Sequence, residues 1–324
     1  MTKAIRIHQH GGPEVLKWED VEVGEPGPGE VRLQHTAIGL NFVDTYHRTG
    51  QFGEIEQLPQ VLGVQGSGLI EALGPEVEGL AVGQRVTYTG VRGAYSEARL
   101  VAAEKLIALP DDISDELAAA AFLRGLTAEY LLRRLYTVQP GETVLIQAAA
   151  GGTGQILVQW AKALGATVIG TVGSDEKAAR VRALGCDHAI VYTREDFAAR
   201  VAEITDGVGV PVVFDGVGRD TFMKSLDCLS PMGHAINFGT ASGQVEPFPL
   251  QLLHKKSLTV TRPTLHTYVH HRTDLVAGAE AVFGVLRDGT VKVDITATYP
   301  LAETAQAHAD LEGRRTTGAM ILLP

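Results

Sequence analysis

Only two cysteines, Cys186 and Cys228, occur in the 324 residues, and they lie on separate segments. This excludes a disulfide framework or a cysteine-rich zinc lobe, and a reducing cytoplasm is the expected setting. Long apolar runs are also missing. None approaches the roughly 20 residues that a membrane-spanning helix needs. The opening "MTKAIRIHQHGG" lacks the apolar stretch and small-residue cleavage site of a secretory signal. Positive charge is in deficit, with 28 Lys and Arg against 38 Asp and Glu, a formal balance of −10. That sign argues against nucleic acid or an anionic membrane as the main partner. There is no internal repeat and no low-complexity tract. Glycine, in contrast, is plentiful at 37 residues and signals many turns and close backbone approaches.

The first hundred residues read as β structure. "EVRLQHTAIG" sets Val31, Leu33, His35 and Ala37 against Arg32, Gln34 and Thr36, the period of a half-buried strand. Dense turn signals from "GEPGPGE" onward suggest an irregular, partly barrel-like domain. Ser114 is placed to cap a helix through "LAAAAFLRG", and a second helix is expected from Thr127 to about Tyr136, with Glu129 and Arg133 spaced as a pair.

From Gly141 onward strand and helix patterns alternate. "TVLIQA" is a short, continuously apolar strand, as a strand buried on both faces should be, and "TVIGTV", "HAIVY", "PVVFD", "HAINFG" and "SLTVT" read as five more strands. Helices between them predict a doubly wound α/β sheet. The tail holds a helix near Asp274–Arg287, the strand-like "TATYP" and a last helix near Ala302–Glu312. It is too small for its own core, so it returns to the first domain. The expected division is 1–125 with 265–324 as a catalytic and substrate domain, and 126–264 as a dinucleotide-binding domain.

Between the first strand and its helix stands "AAAGGTG". In a dinucleotide-binding unit one small residue makes the tight turn, a second admits the pyrophosphate, and a third lets helix and strand pack closely. Ala149, Gly151 and Gly154 occupy those places, with Gly152 extra. The helix N-terminus that follows offers N–H groups to phosphate. The second strand ends "TVGSDEK", with Gly173 and Ser174 where an NAD-selecting acid would stand and Lys177 one turn on. A hydroxyl and an ammonium suit a 2′-phosphate, so NADPH is the expected cofactor. Asp175 and Glu176 read as acids favoured in a first helical turn.

"GETVLIQAAAGGTGQILVQWAK", "HGGPEVL", "AIGLNFVDTYHRTG", "FLRGLTAEYLL", "FDGVGRDTF", "VTRPTL" and "LEGRRTTGA" together resemble the quinone oxidoreductase and zeta-crystallin branch of the medium-chain dehydrogenase/reductases, over essentially the whole chain. The resemblance implies a GroES-like domain, an inserted Rossmann domain and a homodimer. It also implies that no metal is used. Zinc-dependent members carry an early cysteine and a Gly-His-Glu motif, whereas this chain has Asn41 and "GVQGSG", residues without the ligand chemistry zinc needs. His266 and His270 have helical spacing but no third ligand accompanies them.

The same resemblance assigns Asn41 and Tyr46 to the nicotinamide side and Tyr130 near the cofactor. Gly152 and Thr153 fall in the pyrophosphate turn, and Ser174, Lys177 and Tyr192 around the 2′-phosphate. Gly216, Phe238, Gly239 and Ala241 follow the fourth and fifth strands, and Leu265 and Arg314 add contacts from the tail. A lysine usual in the family is Ala319 here. The implied reaction is hydride transfer from NADPH to a quinone in a cleft between the domains. Tyr46 is the candidate donor to the resulting oxyanion, Asn41 an orienting residue, and Asp44 a participant through water. Reduction of an activated C=C bond, as in an enone or alkenal, is the alternative. A non-catalytic NADPH-binding structural or RNA-binding role is the third, and the acidic charge weighs against RNA.

Overall fold

In a computed structural model the described residues are 1–51, 57–313 and 317–324. They form two compact units. The first comprises Met1–Arg124, His271–Phe283 and Val293–Pro324, and the second Gly125–His270 with Gly284–Lys292.

The second unit carries six strands: β1 Thr143–Ile146, β2 Thr167–Val172, β3 His188–Val191, β4 Val210–Asp215, β5 Leu229–Asn237 and β6 Thr259–Thr261. Their spatial order is 3-2-1-4-5-6, and every neighbouring pair is parallel. The apolar reading of β1 holds, since Val144, Leu145 and Ile146 are fully buried. The helix Gly152–Ala163 is buried at every residue from Gly154 to Ala161, so it packs on more than the single stripe expected. Gly165 and Gly185 end the two helices following β1 and β2 with φ of +89° and +98°, conformations that a Cβ would strain. The order reverses between β1 and β4, the point in such sheets where a crevice opens beyond the carboxyl ends of the strands.

The first unit holds a seven-stranded sheet. Ile295–Pro300, Ala319–Leu323, Glu30–Leu40, Gln65–Leu73, Arg85–Thr89 and Ile107–Ala108 lie in that order, and Ala98–Ala102 pairs with Glu30–Leu40. The alternation read in the central strand is real: Val31, Leu33, His35 and Ala37 are all buried. Ala319–Leu323 has no alternation to mark it as a strand, because "AMILL" is uniformly apolar and short. It pairs with Ile38–Leu40 on one side and with Ile295–Pro300 on the other, which ties the tail into this unit. No described helix is long and apolar enough to cross a membrane.

One element differs from expectation. The two helices predicted around Gly125 are a single α-helix, Asp115–Tyr130, continued by a π-helical turn, Leu131–Leu135. Ser114 does supply the hydroxyl at its start, accepting from Leu117 N at 3.1 Å. Gly125 ends nothing because it is buried mid-helix and lacks the positive φ of a terminating glycine. The Glu129–Arg133 pair forms, at 3.8 Å.

Candidate functional site

The loop after β1 makes its tight turn one residue earlier than expected. Ala148, not Ala149, takes the left-handed conformation, with φ of +53°. Ala149 is fully buried, and its Cβ lies 2.7 Å from where a Cβ on Gly170 of β2 would stand. Glycine at 170 is what lets the loop sit this low. Gly154 meets the loop from the other side: a Cβ there would stand 2.3 Å from the Ala148 carbonyl oxygen. Gly151 is the N-cap of the helix, exposed, with no side chain to bond the first N–H groups. Gly152 and Thr153 follow on the same rim. The result is an accessible helix N-terminus with free donor capacity, packed so tightly that only small residues fit. A diphosphate suits such a cradle.

Beneath the loop lies a buried polar network that the sequence pattern does not reveal. Gln147 donates to Ser225 Oγ at 3.0 Å and accepts from Thr171 Oγ1, while Ser225 donates to the Asp215 carboxylate at 3.3 Å. Asp215 is fully buried at the end of β4 and also accepts from the N–H groups of Val217 and Gly218 and from Thr221. Burial raises its pKa, and these four donors oppose the rise. The network therefore fixes the ends of β1, β2 and β4 relative to one another. An acid closing the apolar run "PVVFD" was the available signal.

Beyond β4 and β5 the predicted residues assemble. A Cβ on Gly216 would stand 2.9 Å from the Phe238 ring, and one on Gly239 2.5 Å from the Gly216 carbonyl. Ala241 N donates to that same carbonyl at 3.3 Å. Beyond β2, Ser174 is the N-cap of the helix Asp175–Ala183 and accepts from Lys177 N at 3.3 Å. A Cβ on Gly173 would stand 2.9 Å from the Tyr192 hydroxyl, so Tyr192 covers this corner while remaining exposed. Arg194, which no sequence motif singles out, holds Asp175 through two bonds of 2.5 and 2.6 Å. Tyr130 stacks on Tyr268 with centroids 4.3 Å apart and planes 12° apart, and Leu265 opens the short helix that carries Tyr268. Arg314 lies outside the described residues.

In the first unit, Asn41 caps the helix Phe42–Thr49 and forms a capping box with Asp44, whose Oδ2 accepts from Asn41 N at 2.9 Å. The buried amide finds its partner in the protein: Asn41 Nδ2 donates to Gln65 Oε1 at 3.0 Å, and Gln65 donates to the Ala118 carbonyl. Asn41 and Gln65 stand at the places where the resemblance puts two ligand-bearing motifs of zinc-dependent members, and here they bond to each other. Asp44 is fully buried. Burial pushes its carboxyl up to about 7, while the Asn41 N–H, Tyr95 and Arg124 pull toward the charged form. Tyr46 is buried on the same helix, its ring tilted against Phe42. His266 and His270 place their rings 5.7 Å apart, and among the described residues no group of three or more His, Cys, Asp or Glu is arranged to hold a metal ion.

Two family models match the chain: the alcohol dehydrogenase GroES-like domain over residues 27–111 and the zinc-binding dehydrogenase over residues 152–277. The chain is 50% identical to a quinone oxidoreductase of Pseudomonas aeruginosa, over all of both chains. It is 47% identical to a 2-haloacrylate reductase of a Burkholderia species, covering 100% of this chain and 99% of that one. Among solved structures, the quinone oxidoreductase of Escherichia coli complexed with NADPH superposes with a TM-score of 0.97 at 43% identity, covering 99% of this chain and 100% of that one.

Proposed function

The chain belongs to the quinone oxidoreductases of the medium-chain dehydrogenase/reductase superfamily, and from that premise we propose how its residues carry the reaction. It is an NADPH-dependent oxidoreductase that reduces a quinone. The observation that carries the site assignment is the uncapped helix N-terminus at Gly151, floored by Ala149 and Gly170 and crowded by Gly154. NADPH, when bound, supplies the hydride. The N–H groups of Gly152, Thr153 and Gly154 hold the diphosphate, and Ser174, Lys177 and Tyr192 hold the 2′-phosphate. Gly216, Phe238, Gly239 and Ala241 line the middle of the coenzyme, with Tyr130 and Leu265 further along.

In the first unit Tyr46 donates a hydrogen bond to the quinone oxygen as negative charge develops there. Asn41 and Asp44 orient the helix that carries it, through the capping box and the Gln65 bond. No residue is asked to coordinate a metal.

Two copies of the chain associate as a homodimer. β6 is an edge strand of the six-stranded sheet, and Met232, Leu250 and Leu252 are exposed apolar side chains in the same unit. A cytoplasmic location suits Cys186 and Cys228, both buried free thiols.

A second reading has support in the 2-haloacrylate reductase likeness: hydride delivery to an activated C=C bond. One experiment separates the two. NADPH absorbance is followed with metal-stripped protein while quinones, enones and 2-haloacrylates are offered. Fast oxidation by quinones alone supports the first reading, turnover of the alkenes alone replaces it with the second, and silence with every acceptor refutes both.

A further inference from the structure

The acid at Asp175 raises a physical difficulty for a 2′-phosphate site. It is the first residue of the helix capped by Ser174, three positions beyond Val172, the last residue of β2. A carboxylate adjacent to a 2′-phosphate site repels the phosphate dianion. Its charge is met, however, by Arg194, two residues beyond Tyr192. The guanidinium grips both carboxylate oxygens, at 2.5 and 2.6 Å, in the paired geometry that only arginine offers. Arg194 lowers the pKa of Asp175, so the acid stays ionised and bound to its partner, with Arg182 acting on it from further away. Thr193, between Tyr192 and Arg194, donates to the Gly173 carbonyl at 3.3 Å and pins this short segment to the same corner.

We propose that Arg194 determines coenzyme choice by neutralising Asp175, so that an acid lying between Ser174 and Lys177 no longer opposes the 2′-phosphate held by Ser174, Lys177 and Tyr192. The inference rests on the phosphate assignment made above. Freed of Arg194, the uncompensated charge of Asp175 beside Ser174 would oppose the phosphate. Removing one unit of compensating charge from the neighbourhood of a phosphate dianion in a largely aqueous setting changes binding about five- to ten-fold. Both partners are exposed, so the effect is screened and shrinks as salt approaches 1 M, where the Debye length is about 3 Å.

The test is a set of equilibrium titrations with NADPH and NADH on four proteins: wild type, Arg194→Ala, Asp175→Asn/Arg194→Ala and Lys177→Ala. Arg194→Ala is expected to lower the NADPH-over-NADH preference about five- to ten-fold at low salt, and the double variant to return within about two-fold of wild type. Failure of the double variant to recover would mean that Arg194 touches the phosphate itself, which overturns the neutralising role. An unchanged preference in Arg194→Ala, with a loss in Lys177→Ala, overturns the inference and leaves the phosphate assignment standing. If Lys177→Ala also keeps its preference, the assignment falls and the inference falls with it.

Discussion

Replacing Gly154 by alanine probes the tightest point of the coenzyme loop. The added Cβ would stand 2.3 Å from the Ala148 carbonyl oxygen and 2.9 Å from two backbone atoms of Ala149. All three are main chain, so no rotamer change relieves the contact. The loop cannot sink either, because Ala149 already rests on Gly170. Relief requires the loop to lift from the helix by about an ångström, a forced overpacking that costs about 1–3 kcal/mol. Alanine recovers up to about 1 kcal/mol through its better helix propensity, so a net loss of about 1–2 kcal/mol is expected. In a unit of this size that lowers the melting temperature by about 2–8 °C. The control is Gly284→Ala within the helix Arg272–Arg287, where an added Cβ meets nothing within 4 Å and alanine gains helix propensity, so its melting temperature should not fall. Thermal melting is followed by tryptophan emission, with and without NADPH. A lifted loop also misplaces the N–H donors, and NADPH binding should weaken about ten-fold or more. If Gly154→Ala melts at the wild-type temperature and binds NADPH equally well, the loop neither packs as tightly as described nor forms the diphosphate cradle.

Three further outcomes are expected. Tyr46→Phe should slow turnover with a quinone by about ten-fold or more while leaving NADPH affinity unchanged, and equal turnover would reduce Tyr46 to a wall of the pocket. Asp44 has a folded-state pKa raised to about 7 from an ordinary value of 3.8. The folded protein therefore holds a proton between about pH 4 and 7 that the unfolded chain releases, and stability falls as pH rises through that window. Asp44→Asn cannot ionise, so denaturant melts should show it gaining on wild type from about pH 4 to 7, and parallel curves would place Asp44 outside this linkage. Phe283→Ala removes a ring stacked on Phe122 at 5.7 Å in the first unit, and a chemical melt should record a loss of about 3–5 kcal/mol.

Much of this protein is legible in its residues because the physics involved is short-range. Short, largely apolar runs specify the six parallel strands, Ser114 and Ser174 announce their helices, and the small residues before the helix Gly152–Ala163 mark the tight turn proposed to cradle a phosphate. Each of these depends on neighbours within about one turn or one strand. Even there, packing settles the continuous helix through Gly125 and the strand Ala319–Leu323, because a lone glycine or a short apolar run is compatible with more than one local structure. Which polar groups meet is a matter for the folded chain alone. Gln147 finds Ser225 across 78 residues, Asn41 finds Gln65 across 24, and Arg194 finds Asp175 across 19. A charge or amide has no periodicity that names its partner, and its effect is set only when the fold makes it buried, paired or open to a ligand.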